Sequence, residues 1–290
     1  MAFQSQTGLI EVAPGAWAVV LSIISPNGGG PNAGFVLAGD HMLVIDSLMS
    51  PGTGQQLAEY VRQVTDKSPT YLINTHHHAD HIFGNQTFSP PATIIAHENV
   101  REVMLSQGEA LIESVAERFS RLVPKFEDTI VVAPQITYRD RMTLHFGGRT
   151  VELIHPGVAH THGDTMVYLP DDKLLYAGDI LFNHIFPPIV GSSTGWIAVI
   201  EEVEAMDVDT IVPGHGYIAT KKELGELKQC LIELRSQVKD CFTRGLSVEE
   251  ATKKIDLPYL QWPHPERLGP DVGLIYKELA KEGLDRLPTT

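Results

Sequence analysis

The sequence predicts an α/β protein in which two β-sheets pack face to face, with helices on their outer sides. Three observations lead there. Apolar patterns run β-rich, helix, strand, helices, and then the same series again, so the chain has two similar halves. No low-complexity linker parts them. A length of 290 residues suits one large core, and each sheet must bury its apolar face against another layer. We therefore expect one domain over residues 1–290, with a helical segment at 221–290.

The elements follow in order. Ala16–Ile24 is apolar and β-branched, and Pro26–Gly34 (PNGGGPNAG) reads as a loop. Phe35–Ala38 and Met42–Ile45 are strands around the Gly39–Asp40 turn. Leu57, Tyr60, Val61 and Val64 share one face of a helix over Gly52–Thr65. Tyr71–Asn74 is a strand leading into a histidine-rich loop, and Ala92–Ala96 is another short strand. Val100, Val103, Met104, Leu111, Val115 and Phe119 predict a helix over Glu98–Lys125. A second β region follows, with Met142–Phe146 and Thr150–Ile154 around Gly147–Gly148, then Thr165–Leu169 and Leu174–Ala177 around Pro170–Lys173. Trp196–Met206 is a helix with Ser193 or Thr194 as its cap. Thr210–Val212 is a strand, and from Lys221 the chain is helical except near Pro258–Pro270.

Composition narrows the function classes. Apolar residues at 43% and charged residues at 20% are those of an ordinary globular chain. A net charge of -14 repels phosphate backbones, which argues against nucleic acid and, more weakly, against anionic membranes. No apolar run reaches the ~18 residues of a membrane span. The opening MAFQSQTGLIEVAPG has neither the basic nor the apolar region of a signal peptide. Cys230 and Cys241 lie on one helical segment, roughly 16 Å apart at ~1.5 Å rise per residue, too far for a disulfide. Two reduced thiols point to the cytoplasm. A small-molecule substrate and self-association into a homo-oligomer are the partners left open.

The strongest chemical signal is Thr75–His81, THHHADH. His76, His78, Asp80 and His81 place four metal-ligating side chains directly after a strand, and imidazole nitrogens and carboxylate oxygens are ligands that zinc accepts. His76 and His78, two apart in an extended loop, can point to one side. Asp80 and His81, at the start of a helix, can turn toward a second ion. A catalytic zinc needs three protein ligands and an open position, so more are expected downstream. Three candidates follow β-runs and stand near glycine: His160 in Ala159-His-Thr-His-Gly-Asp164, Asp179 in Tyr176-Ala-Gly-Asp179, and His215 in Val212-Pro-Gly-His-Gly216. Glycine permits the sharp turns and close approach such sites use.

THHHADH, HTHGD, AGD and PGHG, in that order, resemble the motif series of the metallo-β-lactamase superfamily, and Asp46 in VIDS resembles its first motif. The resemblance covers roughly Val12 to Ile218. It implies an αββα four-layer sandwich with two divalent metal ions at one edge between the sheets, zinc being the expected metal and iron or manganese the alternatives. It implies that His76, His78 and His160 hold the first metal, that Asp80, His81 and His215 hold the second, and that Asp179 bridges them. Asp46 would steady a ligand imidazole. Of the two histidines in HTHGD, the resemblance assigns His160, not His162, to the metal.

Aspartate at 179, where many β-lactam-degrading relatives carry cysteine or serine, resembles the glyoxalase II-like and lactonase-like branches. The reaction so implied is attack by a metal-bridged hydroxide on an activated acyl bond: a thioester, ester, lactone or β-lactam. His76 and His78 would be catalytic as ligands, with Asp80 orienting the nucleophile or taking up its proton. A mono-iron persulfide dioxygenase-like oxidoreductase and a phosphodiesterase on the same fold are the rival readings; charge and the lack of a basic patch count against the latter. Phe83, His184, Phe186, Trp196, Trp262 and His264, in aromatic and proline-rich stretches, are candidates for the substrate pocket. The loop Pro26–Gly34 is a candidate flap over the metals. His41, His97, His145 and His155 stand without ligand company.

Overall fold

The computed structural model describes residues 6–21, 30–118, 126 and 128–283. Seven strands lie side by side in chain order in the first sheet: β1 (Gly8–Ala13), β2 (Ala16–Val20), β3 (Ala33–Ala38), β4 (His41–Ile45), β5 (Tyr71–Ile73), β6 (Thr93–His97) and β7 (Ile136–Tyr138). β1 to β4 form an antiparallel meander, and β4 to β7 run parallel. Parallel neighbours need crossovers. Helix α1 (Pro51–Arg62) joins β4 to β5, the short turns α2 (Ala79–Ile82) and α3 (Asn85–Phe88) stand between β5 and β6, and α4 (Glu98–Arg118) leads from β6 toward β7. The second sheet contains β8 (Arg141–Phe146), β9 (Arg149–Ile154), β10 (Met166–Leu169), β11 (Leu174–Phe182) and β12 (Thr210–His215), ordered β12-β11-β10-β9-β8. Only β11 and β12 are parallel, with α5 (Ser193–Ala205) as their crossover. Helices α6 (Lys221–Thr243), α7 (Val248–Lys254) and α8 (Leu268–Lys281) complete the chain.

The four-layer sandwich follows from strand alternation. In β4, Leu43 and Ile45 point between the sheets, where they meet Leu153, Val167, Leu174 and Tyr176, while Met42 and Val44 point outward to Leu57 and Val61 of α1. In β11, Leu174 and Tyr176 face the first sheet, while Leu175, Ala177 and Leu181 face Trp196, Leu227, Leu231 and Ile275 of the outer helices. Strands buried on both faces read as continuous apolar runs, which is why these two stand out in the sequence. Cys230 and Cys241 are both buried and free on α6. Among the described residues no helix is long and apolar enough to cross a membrane.

Several boundaries differ from expectation. β1 and β7 were not expected; each is an edge strand made by its neighbour more than by its own pattern. The Ala16–Ile24 strand ends at Val20, and residues 22–29, with most of the expected flap, lie outside the described residues. α4 is described to Arg118, with 119–125 outside. Ser192, not Ser193 or Thr194, caps α5 by accepting from the Gly195 N–H. The largest difference is β11, expected to end at Ala177. It runs to Phe182 and so contains Asp179.

Candidate metal centre

Parallel pairing of β4 with β5 sets Ile45 opposite Ile73, so the residues that follow each strand meet at the sheet edge. Asp46 sits there with φ 57°, a left-handed conformation that aspartate tolerates. Its Oδ1 accepts the Thr75 N–H at 2.8 Å, and its Oδ2 accepts the Thr75 hydroxyl at 2.7 Å and the His81 Nδ1–H at 2.8 Å. A carboxylate only accepts, so His81 carries a hydrogen on Nδ1, which leaves Nε2 as the atom a cation would take once its proton is displaced. The Thr75 hydroxyl gives its one hydrogen to Asp46, so it accepts from His76 Nδ1 at 3.1 Å, and His76 Nε2 is bare. One buried aspartate thus orients imidazoles on both sides of the loop.

The second sheet brings the remaining groups. His160 lies in the loop between β9 and β10, where its Nδ1–H donates to the Pro188 carbonyl at 3.1 Å. Asp164 shapes that loop by accepting the Thr161 N–H at 2.8 Å and hydroxyl at 2.6 Å, and burial pushes its carboxyl up to about 7. His162 points to solvent, while its carbonyl accepts from Asn99. His215 ends β12, and its loop is fastened from the first sheet by Asn32, whose side-chain amide donates to the carbonyls of Pro213 at 2.9 Å and Gly216 at 2.8 Å. Gly214 is required there: a Cβ on it would stand 1.9 Å from Asp179 Oδ1.

These segments converge in two groups. His76, His78, His160 and Asp179 form one, and Asp80, His81 and His215 the other, with the donor atoms in each group all within 4.8 Å of one another. Asp179 stands between them. Its Oδ2 lies 3.3 Å from His160 Nε2 and 3.6 Å from His76 Nε2, while its Oδ1 lies 3.2 Å from His81 Nε2 and 3.5 Å from His215 Nε2. Asp80 Oδ2 is 3.3 Å from His215 Nε2, and His78 Nδ1 is 3.0 Å from His160 Nε2. His76 Nε2, His81 Nε2 and Asp179 Oδ1 are buried without a hydrogen-bond partner. Buried polar atoms are rarely left so. Three orphaned polar atoms aimed inward, in a set of imidazoles and carboxylates, fit divalent cations.

Electrostatics agree with that donor set. Burial, then the neighbouring imidazoles, holds His76 well below its ordinary value; burial and His77 bring His78 to about 4. Burial brings His160 to about 3 despite the Asp179 carboxylate. These three are neutral near pH 7, the state in which imidazole ligates metal. His81 and His215 behave oppositely. Burial opposes their charge, but Asp179 and Asp80 outweigh it, raising His81 well above its usual range and His215 to about 9. Asp179 is held well below the carboxylate range, against burial, by His215, His81 and His76. The second group therefore keeps protons where a cation would sit, and a cation that displaces them carries the charge those carboxylates need.

The model of the metallo-beta-lactamase superfamily matches residues 26–215, which include Asp46, the THHHADH loop, His160, Asp179 and His215. The chain belongs to the metallo-beta-lactamase superfamily. It is 29% identical over 188 residues to the 2,4-dinitroanisole O-demethylase subunit alpha of Nocardioides sp. (strain JS1661), covering 63% of this chain and 51% of that one. It is 25% identical over 209 residues to the hydroxyacylglutathione hydrolase of Brucella anthropi, covering 66% of this chain and 67% of that enzyme. The stereoselective inverting sec-alkylsulfatase Pisa1 from Pseudomonas sp. has the same fold, with a TM-score of 0.72 at 17% identity over 97% of this chain and 52% of that one. The chain thus spans about half the length of the demethylase subunit and of the sulfatase.

A cavity of about 520 Å³ opens over the centre, reached by His78, Asp80, Asp179 and His215. Its walls are Met49, Leu111, Val115, Phe182, the Pro188–Val190 segment, Arg267 and Asp271. The expected wall aromatics do not form them. Phe83, Phe186 and Trp196 are fully buried core residues. Trp196 packs behind His160 at 5.3 Å and donates its indole N–H to the Ile180 carbonyl at 2.9 Å. His184, Trp262 and His264 are outside the cavity lining, His184 packing beside Trp262 and pairing with Glu226 at 2.7 Å, and His264 pairing with Glu266 at 2.8 Å. Arg267 and Asp271 were missed. Asp271 had one signal: it shares a helix face with Leu268, Val272, Ile275 and Leu279, all buried, where a carboxylate is out of place.

Proposed function

We propose that this metallo-beta-lactamase superfamily chain binds two divalent metal ions, zinc before iron or manganese, and hydrolyses an activated acyl bond of a small molecule with an apolar body. The observation that carries this is the placing of Asp179, whose two oxygens each face a separate set of imidazoles. His76, His78 and His160 would hold one ion, Asp80, His81 and His215 the other, and Asp179 both. When bound, such a pair supplies hydroxide at neutral pH and polarises the scissile bond.

The chain's own residues do the rest. Asp46, directly and through Thr75, holds a hydrogen on Nδ1 of His81 and of His76, so that each turns its Nε2 to a cation. Asp80, partly open to the cavity, is placed to orient the nucleophile and take its proton. Apolar walls from Met49, Leu111, Val115 and Ile189 exclude water and receive the substrate's body. We read residues 1–290 as one domain working in the cytoplasm with both thiols reduced. The hydroxyacylglutathione hydrolase relative supports a thioester or ester; the O-demethylase and sulfatase relatives make aryl ethers and sulfate esters the comparison substrates.

The test is metal analysis of the purified protein alongside a panel of thioester, lactone, β-lactam, sulfate ester, aryl ether and phosphodiester substrates. About two metal equivalents and acyl turnover that chelation abolishes and zinc restores are expected. One iron per chain with oxygen consumption would replace this reading with the oxidoreductase, and turnover of phosphodiesters alone with the phosphodiesterase.

A further inference from the structure

Arg267 ends the short turn before α8, on the wall of the cavity that Asp80, Asp179 and His215 also line. One guanidinium N–H donates to the Phe186 carbonyl at 2.7 Å, and the group lies 5.7 Å over the ring of Phe182, which in turn stacks on His215 with centroids 4.9 Å apart. A guanidinium has five donors and does not lose its charge. Among the described residues no carboxylate pairs with it at ion-pair distance, and the acids that act on it, Asp179 and then Glu266, do so from farther off. A charge largely withdrawn from water without a counter-ion is costly to the fold.

Asp271 stands one turn on along the chain. Its Oδ1 accepts the Ile189 N–H at 2.9 Å, while its Oδ2 is buried and has no partner, although the residue lines the cavity and is only 1% exposed. Burial pushes this carboxyl up to about 8 against the pull of Arg267, so near pH 7 it holds a proton. It then offers a second donor beside the guanidinium, not a charge that cancels it. Both residues stand where α8 begins, and the N-terminal end of a helix also favours an anion.

We propose that Arg267 and Asp271 form an oxyanion subsite, which selects substrates whose apolar body carries a carboxylate or sulfate group apart from the scissile bond. This rests on reading the cavity as the substrate site. It adds a class: amphiphilic anions, with the body against Met49, Leu111 and Val115 and the head at Arg267.

Two measurements test it. In the first, the metal-loaded enzyme is given paired esters with the same scissile bond, one ending in a carboxylate and the other in its neutral methyl ester. Wild type should favour the anion in kcat/KM. Arg267→Gln should cut that preference ratio by roughly ten- to hundredfold, the worth of a charge-assisted hydrogen bond, and Arg267→Lys should restore part of it. In the second, decanoate, decyl sulfate and decanol are titrated into the metal-loaded protein by calorimetry. Both anions should bind more tightly than the alcohol, and Arg267→Gln should remove the difference; the stronger of the two identifies the head group. If no ester is turned over, the acyl reading fails and the titration still decides the subsite. If the anions bind no better than decanol, or if their advantage survives Arg267→Gln and disappears on chelation, Arg267 is not the anion site and the proposal is overturned.

Discussion

Exchanging Asp46 for asparagine alters charge without altering volume, and it acts on two histidines that stand in different donor groups. In the native chain Asp46 Oδ2 receives hydrogens from both the Thr75 hydroxyl at 2.7 Å and His81 Nδ1 at 2.8 Å. An asparagine can keep its carbonyl on the Thr75 N–H, but then its amide NH2 stands in the place of Oδ2. His81 Nδ1 must accept, which moves the imidazole hydrogen to Nε2, the atom 3.2 Å from Asp179 Oδ1. The Thr75 hydroxyl must accept as well and turns its hydrogen toward His76 Nδ1, so His76 also acquires a hydrogen on Nε2. Each misplaced proton forfeits a charge-assisted hydrogen bond worth about 1.5–3 kcal/mol. That corresponds to a roughly ten- to hundredfold weaker hold on each cation, the usual effect of losing a partner behind a ligand. Zinc titration in competition with a chromophoric chelator reads it directly, and a Thr75→Val variant should weaken only the His76 side. Should Asp46→Asn retain two zinc equivalents at wild-type affinity, Asp46 would not govern the tautomers and the relay through Thr75 would be wrong.

Other expectations follow from the same geometry. Gly214→Ala places a methyl 1.9 Å from Asp179 Oδ1, so the variant should lose most bound metal and about 1–3 kcal/mol of stability by overpacking, seen by metal analysis and urea denaturation. Asn32→Ala leaves the carbonyls of Pro213 and Gly216 unpaired and should cost about 2–4 kcal/mol; denaturation at wild-type urea concentrations would contradict it. Asp271 sets a pH dependence. Its carboxyl is raised from 3.8 to about 8 by burial, so between those values the unfolded chain ionises and the folded one does not. Stability contributed by the neutral group is complete below pH 3.8 and declines by up to about 1.4 kcal/mol per pH unit as pH rises toward 8. Asp271→Asn keeps the acceptor for the Ile189 N–H and should flatten that decline; identical slopes for the two proteins would mean that Asp271 is ionised in the fold.

How far the sequence could be read depended on how local each signal was. The THHHADH loop was legible because four ligating residues are adjacent and follow an apolar strand. His160 and His215 were legible because each follows a β-run close to glycine. Asp179 was found for a partly mistaken reason. The Gly178–Asp179 pair reads as a turn that ends a strand, yet β11 continues to Phe182 and takes up Gly178, at φ 53°, as an irregularity in its pairing with β12. Neighbouring strands, not the local pattern, decide that. The pocket was the least legible part. Phe83, Phe186 and Trp196 have the composition of a substrate wall, but α4 and Phe126 cover the first and the C-terminal helices cover the other two, and no periodicity encodes which side of an aromatic stretch another helix will cover. Arg267 was invisible for the converse reason: it is an ordinary arginine in a polar turn until α8 folds its first residues onto the cavity.

The division of the ligands between the sheets has a mechanical consequence. His76 and His78 hang from the first sheet, while His160 and Asp179 belong to the second; Asp80 and His81 come from the first and His215 from the second. Any cation captured in either group therefore bolts one half of the sandwich to the other, and occupancy and sheet docking become a single equilibrium. Sliding the halves by a fraction of a side chain would open both groups at once, so a centre built this way is complete only while its two sheets stay in register.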